Sequence, residues 1–542
     1  MTNIRFFIIL LILSGEWLFT ACGDETPGTT KPNEQSPVTP QPDPENPTTY
    51  ETSRLWTEFL NAGQTGTEST LLDFSYAGYK HGEKSIPNVS YKIFNIEDYG
   101  AIPNDGKSDR QALIEAINDA QKNGNGVILF PAGRFDLRPK DAPNESIVID
   151  ADNIVLRGAG CDEGGTEIFM EYPNQSVDGS LWNTPELISF RYVRSSDTQL
   201  ANITANTPRG GFSVEVSNTS GMTVGQRVFL KLKNNAPELI NQELSPYKAD
   251  AAWTELNNNG VQVIEYHKIA KISGRTVTFK EPIMHAIDSQ WGWTLHNHSC
   301  HTGTGVEDIA FVGNFNEAFS HHLNALHDSG YRLLTIWRQV DSWVRRCRFT
   351  NVSEALSVMQ SANVSILSCT ITGNGGHSAI RSQASTGVFI GKVDDKAGQF
   401  HSVGVSKTAI GTVLWKNTWT ATTCFESHAS QPRATLFDAC KGGFISARSG
   451  GDESAAPNHL RDLVLWNFDE IDSGEQNFNV WQRNTRWLMP IIVGHHGSKT
   501  TFIPTQVTAD EGNGTAMEPL SLYEAQLENR LGMTPQWLND LK

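Results

Sequence analysis

A chain of 542 residues exceeds what one compact hydrophobic core serves, unless the fold grows in one dimension by repetition. With 38% hydrophobic and 19% charged residues, it is neither a disordered chain nor one filled with membrane spans. Its net charge of -17 excludes a nucleic-acid partner, because phosphate binding needs a basic surface, whereas an acidic sugar polymer needs only a local basic patch.

The first residues predict export. Arg5 gives a short basic start, residues 6–13 form an apolar run too short to span a bilayer, and Leu18-Phe19-Thr20-Ala21-Cys22 resembles a lipobox, with Phe19 where Leu is more usual. Residues 1–22 are therefore expected to be a lipoprotein signal peptide, with Cys22 lipidated after cleavage and membrane contact made through that lipid. Gly23-Asp24-Glu25 resembles the surface-export signal of Bacteroidetes lipoproteins, which implies an outer-membrane protein exposed at the cell surface. Residues 23–50, rich in Pro, Thr, Asn and Gln, cannot bury enough surface to fold and read as a disordered tether. Residues 51–542 are then the catalytic domain, expected to be a monomer. The six cysteines after Cys22 lack the short paired spacings of a zinc site.

The folded part opens with Phe94-Asn95-Ile96-Glu97-Asp98-Tyr99-Gly100-Ala101 and Asn104-Asp105-Gly106-Lys107-Ser108-Asp109. Ala112, Leu113, Ala116, Ile117 and Ala120 then recur at helical spacing, with Ser108 or Asp109 as the cap. The Gly124-Asn125-Gly126 stop leads into a buried strand, Val127-Ile128-Leu129-Phe130, and the turn Pro131-Ala132-Gly133. Further strands are predicted at residues 147–149, 154–156 and 166–168. Residues 91–168, with these motifs in this order, resemble the N-terminal part of the pectate lyase superfamily, its type-3 group. The resemblance implies an all-β fold, a right-handed parallel β-helix whose open end the helix caps. That scaffold serves lyases, hydrolases and phage tailspikes alike, so it does not fix the chemistry.

Between about residues 210 and 290 the pattern changes to alternating strands, Ser213-Val214-Glu215-Val216, Val228-Phe229-Leu230-Lys231-Leu232 and Thr276-Val277-Thr278-Phe279, around an Asn-rich stretch at 234–259. This reads as an inserted β-subdomain. After Cys300 the coils resume: Cys347 and Cys369 are 22 residues apart, as are Phe349 and Ile371, about one β-helix coil. Stacked rungs lie about 4.8 Å apart, close enough for a Cys347–Cys369 disulfide, although a plain internal ladder is the preferred reading. Ser521 and Gly532 bracket a C-terminal helix, of the kind that covers the end of such a coil.

Elimination on a uronic acid needs positive charge on the sugar carboxylate, a base for the C5 proton and an acid for the leaving O4. Residues 374–433 supply such groups on successive coils. His428 is the expected base and Arg433 the carboxylate partner, with His401 or Lys407 as the second proton-transfer group. His377, Arg381, Glu426 and Gln431 are assigned to substrate binding, Glu426 also orienting His428, and Trp415 and Trp419 to stacking on sugar faces. His296 with His298, His321-His322 with His327 and Asp328, and His495-His496 fit turn capping as well as ligation, so no metal site is assigned. Calcium is the one cofactor left open, through Asp394-Asp395.

The function expected is a polysaccharide lyase acting on a pectin-, ulvan- or glycosaminoglycan-type polymer. An epimerase on the same scaffold would use similar residues. The alternatives are a noncatalytic surface glycan-binding protein and a polygalacturonase-like hydrolase. Gly375-Gly376-His377-Ser378-Ala379-Ile380 faintly resembles the polygalacturonase G-H-G segment. However, residues 352–358 carry only Glu354 where that family has paired aspartates, and no R-I-K follows.

Overall fold

Apolar residues spaced one coil apart stack in register and generate the fold. Phe94, Ile128, Leu156, Val306, Val344, Ile366, Ile390, Leu414, Phe437, Leu465 and Ile492 pair in turn across one parallel twelve-stranded sheet. All are buried in one continuous core, and each contributes about 1.5–3 kcal/mol by leaving water. The computed structural model describes residues 49–194, 197–446 and 448–541. The signal-peptide reading, Cys22 and nearly all of the predicted tether lie outside the described residues.

Two further parallel sheets, of nine and seven strands, complete each coil. The chain leaves the twelve-stranded face at left-handed corners formed by Arg346, Ser368, Lys392, Lys416 and Ala439, all at positive φ. A non-glycine residue strains there by roughly 1–3 kcal/mol, a cost the stacked strands on both sides offset. The molecule is a parallel β-helix, as the coil repeat predicts.

The helix Arg110–Asn123 buries Ala112, Leu113, Ala116, Ile117 and Ala120 against the first coils. Asp109 precedes it, but its carboxylate accepts from the Ile102 and Asp136 backbone N–H groups instead of from the helix. The insertion is a six-stranded antiparallel sheet running from Gln199–Asn202 to Thr294–Asn297, wider at both ends than the alternation suggested. Its Asn-rich stretch holds two short helices, Pro237–Leu244 and Thr254–Asn259. Buried polar pairs fasten it in place: Arg227 pairs with Asp341 of the coils at 2.6 Å, and Glu281 with His81 of the segment that precedes them at 2.5 Å.

The C-terminal helix Leu522–Leu531 is capped by Ser521 and stopped by Gly532, but it does not close the end of the coil. Tyr523 and Leu527 lie on the outer side of the twelve-stranded face with Phe389, Val413, Trp415 and Leu436. That face is apolar outside as well as inside, so the helix covers it laterally. Cys347 and Cys369 stack as buried free thiols without a disulfide.

Candidate active site on the seven-stranded face

Five strands of the seven-stranded sheet, Arg332–Trp337, Glu354–Met359, Ser378–Gln383, His401–Ser406 and Cys424–His428, stack in consecutive rungs. Ala355, Leu356, Ala379, Ile380, Val403, Val405 and Phe425 enter the core, which leaves polar residues outside. Three columns result. Arg332, Glu354, Ser378 and His401 form the first; Thr335, Ser357, Arg381, Gly404 and Glu426 the second; Trp337, Met359, Gln383, Ser406 and His428 the third.

Charge is balanced tightly in the middle column. Arg381 Nη1 donates to Glu426 Oε2 at 3.1 Å, reaching across the intervening rung. That rung carries Gly404, where an added Cβ would meet the Glu426 carbonyl oxygen at 2.2 Å; the missing side chain opens the path. Arg381 also lies 3.7 Å from Glu354 Oε2, which Arg332 approaches at 2.8 Å. Burial pushes the Glu354 carboxyl up, but Arg332 and Arg381 outweigh it and hold it down to about 2. Burial likewise lowers the Arg381 pKa, and Glu426 with Glu354 more than reverses that.

Histidines gather beside this lattice. His377 and His401 stand at the starts of successive strands, with ring centroids 5.4 Å apart. His321 and His322 arrive on the segment 313–330, and His321 lies 5.5 Å from both His377 and His401. Phe319 and Phe400 stack on His377 and His321 respectively and wall the cluster. A single π-turn, Leu326–Gly330, buries Asp328 beneath it, a device common at functional sites. Asp328 Oδ2 bonds His322 Nδ1 at 2.6 Å, and its carbonyl accepts from His377 Nδ1 at 3.2 Å. His401 Nδ1 donates to the Arg448 carbonyl at 2.9 Å. Burial lowers the pKa of His377 and His401 well below the usual imidazole value, and burial followed by the His322 charge brings His321 down to about 4. These rings are neutral at neutral pH.

Of the residues singled out in the sequence, His377, Arg381, His401, Lys407, Glu426 and His428 share this face. His428 ends its strand half-buried, and Lys407 is exposed at the corner of the adjacent rung, its N–H donating to the Ala429 carbonyl at 3.0 Å. Withdrawal from water lowers the pKa of both side chains; the charges of Arg381 and Arg332 add to the effect on Lys407. Glu426 does not orient His428; its carboxylate faces Arg381 and, at 3.5 Å, His401 Nε2.

The remaining assignments are corrected by the fold. Arg433 opens a strand of the twelve-stranded sheet, 4% exposed, and is consumed by Glu243 at 3.0 Å and the Gln262 carbonyl at 2.7 Å. It lines a cleft beside the insertion with Arg209, His285 and Arg461, so it cannot neutralise a sugar at His428. Gln431 is buried too, and its amide bonds Gln262 N and Gly260 O, fastening the insertion. Trp415 lies under the C-terminal helix, donating to Glu524, and Trp419 lies inside the core against Phe425 and Phe468; neither can stack on a sugar. Asp395 caps its own turn by accepting from Gly398 N and Gln399 N, while Asp394 pairs with Thr418 and Lys396, so the two do not converge on a calcium ion. His321, His322 and Asp328 carry no assignment from the sequence, where the paired histidines are their one signal.

A family model described as Domain of unknown function (DUF4955) matches residues 398–541, which hold His401, Lys407, Glu426 and His428 but not Glu354, His377 or Arg381. The chain is 27% identical over 125 residues to mannuronan C5-epimerase AlgE3 of Azotobacter vinelandii, 23% of this chain and 7% of that protein. It is 34% identical over 71 residues to alginate lyase 7 of the same organism, 13% of this chain and 8% of that protein. The chain thus spans less than a tenth of the length of these curated relatives. Among solved structures, the tailspike protein gp49 from Pseudomonas phage LKA1 aligns with 77% of this chain and 76% of its own, at 13% identity and a TM-score of 0.42.

Proposed function

We propose that this protein is an enzyme acting on an acidic polysaccharide, and that it cleaves a uronate-containing chain by β-elimination. The observation that carries the reading is the outward face of the coils at Gln383, Lys407 and His428, where a neutral imidazole and an ammonium occupy adjacent rungs beside an internally balanced Arg–Glu lattice. His428 takes the C5 proton, the C4–O4 bond breaks as the C4=C5 double bond forms, and Lys407 gives its proton to the departing O4. The lowered pKa of each suits it to its role: the imidazole is free to accept, and the ammonium gives its proton up more readily. Relatives named for mannuronan and alginate support an acidic glycan as substrate. The N-terminal motifs support descent from the pectate lyase superfamily.

Hydrolysis is disfavoured. It needs a protonated carboxylic acid opposite a second carboxylate, whereas Glu354 is held ionised between two guanidiniums and Glu426 is bonded to Arg381. Epimerisation begins with the same proton removal, and the relatives named as epimerases support it as the second reading. Incubation with pectin, ulvan, alginate and glycosaminoglycans separates these readings. Growth of unsaturated-uronate absorbance supports elimination. Solvent deuterium entering C5 without chain cleavage supports epimerisation. New reducing ends without absorbance, or binding alone, would refute the proposal.

A further inference from the structure

Two imidazoles on this face have their protons fixed by the backbone. A carbonyl oxygen only accepts, so His377 Nδ1 and His401 Nδ1, bonded to the carbonyls of Asp328 and Arg448, must each carry the hydrogen. The lone pair of each ring therefore sits on Nε2. This is the arrangement of metal-ligating histidines, whose second nitrogen donates to a carbonyl or carboxylate. His321 completes the set, since one ring nitrogen from each of His321, His377 and His401 lies within 4.8 Å of the other two. Neither His321 nitrogen makes a hydrogen bond among the described residues.

A second observation is independent of the histidines. Glu426 Oε1 is fully buried, has no hydrogen-bond partner, and lies 3.5 Å from His401 Nε2. Two acceptor atoms thus face each other with no proton between them, an arrangement that a nearby cation relieves. In a tetrahedral site with bonds of about 2.1 Å, neighbouring ligand atoms stand about 3.4 Å apart.

We propose that His321, His377 and His401 bind one borderline divalent transition-metal ion, Zn2+ in the first place, with the Glu426 carboxylate beside it and one coordination position facing outward. His377 and His401 are fixed on adjacent strands. His321, exposed on the segment 313–330, supplies the adjustment of roughly 1 Å that brings the ligand atoms to bonding distance. Three neutral nitrogen donors select zinc, cobalt, nickel or copper over calcium and magnesium, which take oxygen. Asp328 acts from behind, orienting His377 through its carbonyl and bonding His322 through its carboxylate.

The site itself stands on this geometry alone; its use in catalysis rests on the β-elimination reading. That reading needs positive charge at the sugar carboxylate, which Arg433 cannot supply and Arg381, shared between two glutamates, is not free to supply. An ion at the histidines would supply it.

The test uses untagged protein stripped with a chelator and dialysed, then titrated calorimetrically with Zn2+, Co2+ and Ca2+. One Zn2+ per chain is expected, together with the intense visible bands of tetrahedral Co2+ and a higher melting temperature on adding Zn2+. His321→Ala, at an exposed position that leaves the coils intact, should weaken Zn2+ by more than the roughly 10- to 100-fold lost with an outer-shell partner. His401→Gln, checked for folding by circular dichroism, should do the same. Failure of Zn2+ to bind, binding of Ca2+ alone, or undiminished Zn2+ affinity in folded His321→Ala would overturn the site. Zn2+ binding in a protein inactive on every uronate polymer supports the site while sinking the β-elimination reading. Full turnover after chelation supports elimination and removes the ion from it.

Discussion

Replacing Arg381 by methionine tests the charge lattice most directly. The substitution keeps most of the side-chain volume and removes a guanidinium bonded at 3.1 Å to Glu426 and lying 3.7 Å from Glu354, both carboxylates being 1% exposed or less. At an effective dielectric of about 20, unit charges 3.1 Å apart attract by about 5 kcal/mol and those 3.7 Å apart by about 4 kcal/mol. Removing the cost of taking the guanidinium from water returns several kcal/mol. The expected net loss is therefore about 3–5 kcal/mol, the usual result of orphaning a buried charge. Glu354 keeps Arg332 at 2.8 Å, so most of the loss falls on Glu426. The double variant Arg381→Met with Glu426→Gln should then recover most of it, because the neutral amide no longer needs a cationic partner. Urea unfolding followed by tryptophan fluorescence measures both effects. A loss below about 1 kcal/mol, the scale of an exposed pair, or no rescue by Glu426→Gln, would show that the lattice is not the tightly coupled unit described above.

Three further outcomes are expected. His428→Gln should lower the rate of unsaturated-product formation by about 10²- to 10⁴-fold, the contribution of a general base, with the melting temperature nearly unchanged because the side chain is half-buried at a strand end. In the insertion, burial alone would lower the His267 pKa, but Glu265 at 3.2 Å and Glu281 at 3.5 Å raise it to about 9. Its folded value lies above the unfolded one, so this stabilisation is complete below about pH 6.5 and is lost as pH rises through about 9. The urea midpoint should fall across that window, and the slope should flatten in His267→Gln. Finally, Cys22→Ala should abolish incorporation of labelled fatty acid; label retained by the variant would refute the lipid anchor expected from the sequence.

Much of the scaffold could be read directly because parallel coils repeat at nearly constant sequence intervals. Cys347 and Cys369, or Phe349 and Ile371, recur 22 residues apart and do occupy neighbouring rungs. The insertion was visible as a change of period, although its first and last strands, Gln199–Asn202 and Thr294–Asn297, lack the apolar alternation that marks the middle ones. The site was only half legible. His428 and Arg433 are five residues apart, yet the corner between them, with Ala429, Ser430 and Gln431 at positive φ, sends them to different sheets. Trp415 and Trp419 both look like surface aromatics in the sequence. One is covered from outside by the C-terminal helix and the other is turned into the core.

Local pattern determined the coil: apolar residues at rung spacing must stack inward, because no other arrangement removes so much apolar surface from water while pairing every strand. Which outward face stays open is a long-range matter. It depended on where the terminal helix and the insertion came to lie, and on residues 313–330 bringing His321 to His377 and His401. Those contacts join positions tens to hundreds of residues apart, and no local periodicity records them. Only the folded chain decided that Arg433 is consumed behind the insertion, while Lys407, His428 and the exposed His321 share one face with the buried His377 and His401.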